Sequence, residues 1–253
     1  DEAIMALLGY APHKYYYGRG PLEAYGAGMN FEKGWLALRT NFSTMENDRL
    51  IDRRVGRSLT TKEALEFARI INENVKLEVP FDFKATIGHR GVLILKGEFS
   101  DNITNVDPAY KKVGRFGVAI ANNIEKLQEC KPLDPDKKTK LTARIVNDFV
   151  KQSREVLSRQ KLNEKRKNNY FLPANVVVPR DAGILLPILP KRIGWGAIVS
   201  MPLEVGITKL AGMDVLKFDY PEMKTRDVYD HLFTGLKKTI KESIKHVKEA
   251  QHD

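Results

Sequence analysis

The chain reads as an α/β protein. Strand-like and helix-like stretches take turns from residue 175 to 253, which argues for parallel βαβ units. The middle of the chain instead mixes β-rich runs with amphipathic helical patterns, the texture of an α+β region. With 253 residues and 42% hydrophobic content, there is material for one large core or two small ones.

Taken in order, Ala3–Leu8 is expected as a short helix stopped by Gly9. Tyr10–Gly28 reads as loop, because Gly18, Gly20, Gly26 and Gly28 are interleaved with the breakers Pro12 and Pro21. Trp35–Phe42 follows as a strand. Thr60 and Glu63 have the spacing of a capping box, and Leu65, Ala68 and Ile71 continue the helix to about Glu73. Phe81–Thr86 and Gly91–Lys96 are β-like runs around Gly88-His89-Arg90-Gly91, a hairpin by its glycines. Asp134-Pro135 supplies an N-cap and a first-turn proline for a helix whose stripe, Leu141, Ile145, Phe149 and Val156, reaches about residue 160. Asn175–Val178, Ala197–Ser200 and Val215–Phe218 are expected as strands and Leu203–Leu210 as a helix. Leu232, Leu236, Ile240, Ile244 and Val247 mark a final helix. There is no internal repeat.

Composition removes several classes of function. No apolar run approaches the roughly eighteen residues of a membrane span, and Ile184–Leu189 is broken by Pro187. The single Cys130 excludes an internal disulfide framework and a Cys-rich zinc site, and suits a reducing cytoplasm. The net charge of +10 points to an anionic partner: nucleic acid, a membrane surface or phosphorylated metabolites. Between residues 131 and 170 stand twelve Lys/Arg against five Asp/Glu, including Lys137-Lys138-x-Lys140 and Lys165-Arg166-Lys167. No ribonucleoprotein-type aromatic motif, zinc finger or KH signature accompanies them, and a solvated helix face is the commoner meaning of such runs. The chain begins Asp1-Glu2-Ala3 with no signal-peptide pattern and stops at Gln251-His252-Asp253 just after a helical pattern, so both ends read as cuts through a longer protein.

The five histidines, His13, His89, His231, His246 and His252, show neither HxH nor HxxxH spacing. The sequence contains no Asp-x-Asp-x-Asp-Gly loop, no Gly-x-Ser-x-Gly elbow and no Walker loop. Gly18-Arg19-Gly20 and Gly26-Ala27-Gly28 do not follow a strand and open a helix, so they read as tight turns. What stands out is arginine in short loops: Asp52-Arg53-Arg54-Val55-Gly56-Arg57, Gly88-His89-Arg90-Gly91, Gly114-Arg115-Phe116-Gly117 and Pro179-Arg180-Asp181. A guanidinium matches phosphate and carboxylate oxygens with two parallel hydrogen bonds, and a small anionic metabolite needs several converging. Asp52, Arg53, Arg54, Arg57, His89, Arg90, Arg115 and Arg180 are therefore the candidate substrate-binding residues. His89 sits among guanidiniums that repel a cation. Asp52, beside Arg53 and Arg54, is placed to orient an arginine or meet a substrate hydroxyl rather than hold a metal.

Ala6-Leu7-Leu8-Gly9-Tyr10 and Tyr16-Tyr17-Gly18-Arg19-Gly20-Pro21-Leu22-Glu23-Ala24 resemble the archaeal-type, 2,3-bisphosphoglycerate-independent phosphoglycerate mutases. So do Arg39-x-Asn41-Phe42-Ser43-Thr44, Ile51-Asp52-Arg53-Arg54-x-Gly56-Arg57, Phe83-Lys84-Ala85-Thr86-x-Gly88-His89-Arg90-Gly91, Leu172-Pro173-Ala174-Asn175 and Leu210-Ala211-Gly212-Met213-Asp214. The resemblance covers nearly the whole chain and implies a fold of the alkaline phosphatase superfamily. On that layout, 31–189 is an inserted α/β substrate-binding domain with a mixed sheet, and 1–30 and 190–253 are strips of a parallel-sheet phosphatase domain. It implies a cytoplasmic isomerase of glycolysis and gluconeogenesis that interconverts 2- and 3-phosphoglycerate through a phosphoserine. Two divalent metals would assist, typically manganese, with magnesium or zinc as alternatives, and 2,3-bisphosphoglycerate would not be needed.

The family's Asp-Gly-x-Gly-Asp and Asp-x-x-Gly-His metal segments are not in this sequence, and its serine would stand just before Asp1. The chain is thus expected to hold no catalytic nucleophile and no metal site, and to bind a small phosphorylated metabolite without turning it over. Another phosphomutase, a metal-dependent phosphatase or a phosphonate enzyme of the superfamily is the alternative within the class. A basic nucleic-acid-binding module is the alternative outside it. No sequence feature fixes an oligomeric state.

Overall fold

The eleven residues Leu36–Glu46 form strand β1, and all but the last are buried. A strand hidden on both faces must be central. In the computed structural model, which describes residues 1–121, 126–217 and 228–250, β1 is the strand around which the main sheet is built. Along one edge it pairs antiparallel with β4 (Arg90–Leu95), which pairs in turn with β3 (Phe81–Ala85). Along the other it pairs antiparallel with β7 (Val176–Gly183), in the register Ala37↔Gly183 and Arg39↔Arg180. The end of β1 folds back on β2 (Arg49–Asp52).

The strand period of two decides what each face buries. Leu36, Leu38 and Phe42 point into the main core with Phe83 and Leu93. Helices α4 (Thr61–Asn74) and α5 (Lys137–Ser158) cover that face with Phe67, Ile71, Val146 and Phe149. Thr60 caps α4 in a reciprocal capping box with Glu63. Ala37 faces the other way, with Val92 and Ile94, and is covered by Ala24 of α3 (Arg19–Gly26).

A second apolar cluster joins the two ends of the chain. Met5 of α1 (Glu2–Leu7), Tyr10, Tyr16 and Leu22 pack with Leu189, with Leu203 and Ile207 of α7 (Pro202–Leu210), and with Met213. Here β8 (Gly196–Val199) pairs parallel with β9 (Asp214–Lys217) around α7. A short helix, α2 (Pro12–Tyr15), precedes α3. α6 (Lys161–Asn168) follows α5, and α8 (Val228–Ala250) is last. The stripe Leu232, Leu236, Ile240, Ile244 and Val247 of α8 is about half exposed. No helix among the described residues is long and apolar enough to cross a membrane.

Several expectations are corrected. The glycine-rich stretch 10–28 is largely helical, and Gly18 stands at the N-cap of α3 rather than in an isolated turn. Glycine is needed there for closeness: a Cβ on Gly20 would enter the Ala37 carbonyl, and one on Gly26 the Pro202 carbonyl. The N-cap of α5 is Asp136, not Asp134, because Asp136 accepts from the Lys138 N–H and leaves Pro135 outside the helix. The run from 175 is not uniformly βαβ, since β7 joins the antiparallel sheet and only β8–α7–β9 is a parallel unit. The main sheet is therefore antiparallel, not mixed. Phe218, the expected end of a strand, and the terminal Gln251–Asp253 lie outside the described residues.

The α3–α7 contact makes a testable case. A Cβ on Gly206 would collide with the Leu22 carbonyl, which is backbone and cannot swing aside. Gly206→Ala is expected to cost about 1–3 kcal/mol as overpacking. By thermal melting that is a drop of roughly 2–12 °C. Gly196→Ala, where a Cβ meets ordinary contacts at 3.7 Å, is the control and should melt near wild type.

Candidate anion site

Strand alternation places charge on the α3 face of the sheet. Ala37 is buried under α3, so Arg39 and Asn41 emerge on the same side, and Asn41 stands opposite Arg90 in the β1–β4 register. A strand arginine only 4% exposed needs a partner, and α3 supplies it. Glu23 Oε1 accepts from Arg39 Nε at 3.2 Å and from Arg19 Nε at 2.6 Å, while Arg39 Nη1 donates to Asn41 Oδ1 at 2.7 Å. Burial alone would raise the Glu23 pKa, but Arg39 and Arg19 outweigh it and hold the carboxylate below its ordinary range. Burial pulls Arg39 down to about 9, against the pull of Glu23, so both remain charged at neutral pH.

The loop after β2 is built for a different purpose. Val55, Gly56 and Arg57 all have φ between +54° and +58°, and for a β-branched residue such as Val55 that is a strained conformation. Asp52 holds the turn: its Oδ1 accepts from the N–H of Arg54 at 2.6 Å and of Gly56 at 2.9 Å. It orients an arginine through the backbone. Asp52, Arg53, Arg54 and Arg57 line a cavity of about 380 Å³ with Leu50 and Ile51.

The eight sequence candidates separate into two groups. Arg54, Arg57 and Arg90 form no ion pair among the described residues, and their charges act together on His89. Burial, then Arg90, Arg39, Arg54 and Arg57, push the His89 pKa down to about 2. His89 is therefore a neutral imidazole that adds no charge to the cluster. Arg90 is lowered by burial, with Glu23 opposing and Arg19, Arg54 and Arg57 adding to the effect.

Arg53, Arg180 and Arg115 are instead already engaged. Arg53 donates to both oxygens of Asp107, at 2.7 and 2.6 Å, and Asp107 is fully buried. Arg180 lies within β7 rather than in a loop; it pairs with Asp181 and approaches Asp107 at 3.5 Å. The Tyr110 ring carries the Arg180 guanidinium at 3.9 Å and that of Arg53 at 5.3 Å. Arg115 sits at the turn between β5 (Tyr110–Val113) and β6 (Phe116–Ala119), donates to the Tyr16 carbonyl at 3.2 Å and lies 5.1 Å from the Tyr17 ring. Beside it Phe116 stacks on Tyr16 with centroids 5.7 Å apart, so this hairpin ties the sheet to the terminal cluster.

Arg19, Glu23, Arg39, Asn41, Asp107, Tyr110 and Asp181 were not singled out from sequence. Arg19 and Glu23 have a helical i,i+4 spacing that the surrounding glycines masked. Arg39 sits among residues expected to be strand, where a charge at an inward position is itself a signal. Asp107 gave none, since its partners are 54 and 73 positions away in the chain. Of the basic run at 165–167, Arg166 turns inward to Glu63 at 2.7 Å and Ser58 at 2.8 Å.

Among the described residues no three His, Cys, Asp or Glu side chains gather where they could hold a metal ion. His89 faces guanidiniums and Asp52 is spent on backbone N–H groups, so the donor set of this site does not fit a divalent cation.

The neutral imidazole gives an acid-limb prediction. The unfolded histidine takes a proton near pH 6.5 and the folded one does not. Stability is then full above about pH 6.5 and falls as pH drops below it, at up to about 1.4 kcal/mol per pH unit from this residue. Denaturant unfolding between pH 5 and 8 should show a shallower slope for His89→Asn. Equal slopes in the two proteins would remove His89 as the cause.

The family model described as 2,3-bisphosphoglycerate-independent phosphoglycerate mutase matches residues 1–163. A protein so named from Aeropyrum pernix is 41% identical over 243 residues, covering 90% of this chain and 57% of the relative. Another, from Methanopyrus kandleri, is 41% identical over 224 residues, 85% of this chain and 50% of the relative. The solved cofactor-independent phosphoglycerate mutase of Thermoplasma acidophilum superposes with a TM-score of 0.58 at 34% identity, over 87% of this chain and 56% of that one. The chain spans about half the length of the curated relatives it matches.

Proposed function

Since the chain belongs to the 2,3-bisphosphoglycerate-independent phosphoglycerate mutase family, we propose that it is the substrate-gripping part of a cytoplasmic enzyme that interconverts 3- and 2-phosphoglycerate. The observation that carries this is the set of guanidiniums that form no ion pair among the described residues: Arg54 and Arg57 line the cavity after β2, and Arg90 acts with them on the neutral His89. A phosphoglycerate bears a phosphate and a carboxylate, and each can take a two-pronged hydrogen bond from such a fork. Arg19 and Arg39 add positive field from below but are held by Glu23. Asp52 fixes the turn from which Arg54 and Arg57 reach out.

Residues 31–189 would be the inserted substrate domain and 1–30 with 190–253 the flanking strips, supported by a main core drawn from Leu36–Ala182 and a second drawn from both ends. The nucleophilic serine and two divalent ions would come from sequence outside residues 1–253. The half-exposed stripe of α8 gives further chain an apolar surface to cover.

The test is to titrate 3-phosphoglycerate into the 253-residue chain and to assay that chain beside the full-length protein, with and without manganese. The chain is expected to bind without turnover, and the full-length protein with manganese to form 2-phosphoglycerate. No 2-phosphoglycerate from the latter would refute the assignment. Turnover by the chain alone would place the nucleophile within it.

A further inference from the structure

The chain passes between its two apolar clusters twice, once from α3 to β1 and once after β7. The Ala37↔Gly183 pairing sets the two passages side by side, and the Gly34 N–H donates to the Ile184 carbonyl at 3.3 Å. Between them lies a cavity of about 490 Å³. It shares no lining residue with the arginine cavity. Its volume falls within the roughly 300–1,000 Å³ of small-molecule sites.

The lining has a definite chemistry. Tyr15, Tyr17 and Phe31 give it three aromatic walls, and Ile188, 91% exposed, stands at its edge with no cover. Lys14 and Lys33 are the charged residues of the lining, which contains no acid. Neither lysine forms an ion pair among the described residues; Lys14 Nζ rests 5.0 Å from the Tyr15 ring. A lysine is a point charge with no fork, so the cavity lacks the two-pronged grip that several converging arginines give a phosphoglycerate. Aromatic walls instead reward a flat apolar body, and the lysines reward a single anionic head.

We propose that this cavity is a binding site for a small amphipathic anion, an aromatic or short acyl body carrying one carboxylate, sulfonate or phosphate. Such a ligand would touch Phe31 and Lys33 before β1 and Leu185, Leu186 and Ile188 after β7 at once. The site is separate from the one proposed for phosphoglycerate and stands or falls independently of it.

The probe is 8-anilinonaphthalene-1-sulfonate, added to the full-length protein and followed by fluorescence. The expected result is a saturable enhancement of one equivalent, weakened tenfold or more in Lys14→Glu/Lys33→Glu and again in Ile188→Asp. Saturating 3-phosphoglycerate should leave it unchanged. Circular dichroism melts check that each variant, at a residue exposed or partly exposed among the described residues, remains folded. Another exposed apolar stripe among the described residues lies on α8, so Leu236→Ser should leave the signal intact. Enhancement that survives the double lysine variant, that disappears in Leu236→Ser, that is displaced by 3-phosphoglycerate, or that never saturates would each overturn the proposal.

Discussion

Asp107→Ala is expected to unfold far below the wild-type protein. The Asp107 carboxylate is fully buried and is the bidentate partner of Arg53; Arg180 Nε stands 3.5 Å from its Oδ2. Burial works against the Arg53 charge, yet the Asp107 pair holds its pKa above the ordinary value, so removing the carboxylate leaves a cation rather than a neutral group. Breaking a buried pair from one side costs about 3–5 kcal/mol. For a protein of this size that is a midpoint lower by roughly 6–20 °C. Much of the loss is the stranded charge, so Asp107→Ala/Arg53→Met should recover part of it. A single variant that melts within a degree or two of wild type would show that the carboxylate is dispensable.

Arg90→Ala should act on binding instead. Arg90 forms no ion pair among the described residues, and its truncation removes a fork from a cluster that includes Arg54 and Arg57. Losing one charge-assisted interaction of this kind costs on the order of 2–3 kcal/mol. Calorimetry should therefore show 3-phosphoglycerate bound roughly 30- to 150-fold more weakly. Two neighbours in sequence sharpen the contrast. Arg54→Ala should weaken binding with little change in melting, whereas Arg53→Ala should lower melting first, because Arg53 is already held by Asp107. Normal affinity in Arg90→Ala and Arg54→Ala together would take the ligand elsewhere.

Local chemistry was legible wherever neighbours in sequence carry it. The Thr60–Glu63 box, the hairpin around Gly88–Gly91 and the period of α5 all follow from residues within a few positions of each other. Glycine was ambiguous because it answers two needs. In residues 10–28 its spacing reads as a turn signal, yet Gly20 and Gly26 serve close packing of α3 against β1 and α7. Long-range pairing was the other obscured quantity. The segment from 176 looks like the start of a βαβ series, but its partner is β1, and no local pattern announces that. The arginines were visible as a group. Which of them form no ion pair among the described residues was not, since Asp107 meets Arg53 and Arg180 from 54 and 73 positions away, even though Asp181 adjoins Arg180.

The antiparallel union of β1 with β7 also sets an order of folding. Closing the roughly 150-residue loop between Ala37 and Gly183 carries an entropic cost of about 4 kcal/mol beyond a constant. Once the sheet has closed it, the segment from α3 into β1 and the segment from β7 through β8 to α7 start side by side, and α3 and α7 need only a shorter additional closure to meet. The terminal cluster therefore assembles late and on a template, and its contacts should slow unfolding more than they speed folding. Chain added or removed between β1 and β7, away from the sheet itself, changes that cost only logarithmically, so the segments flanking β1 and β7 find each other almost regardless of what is inserted between them.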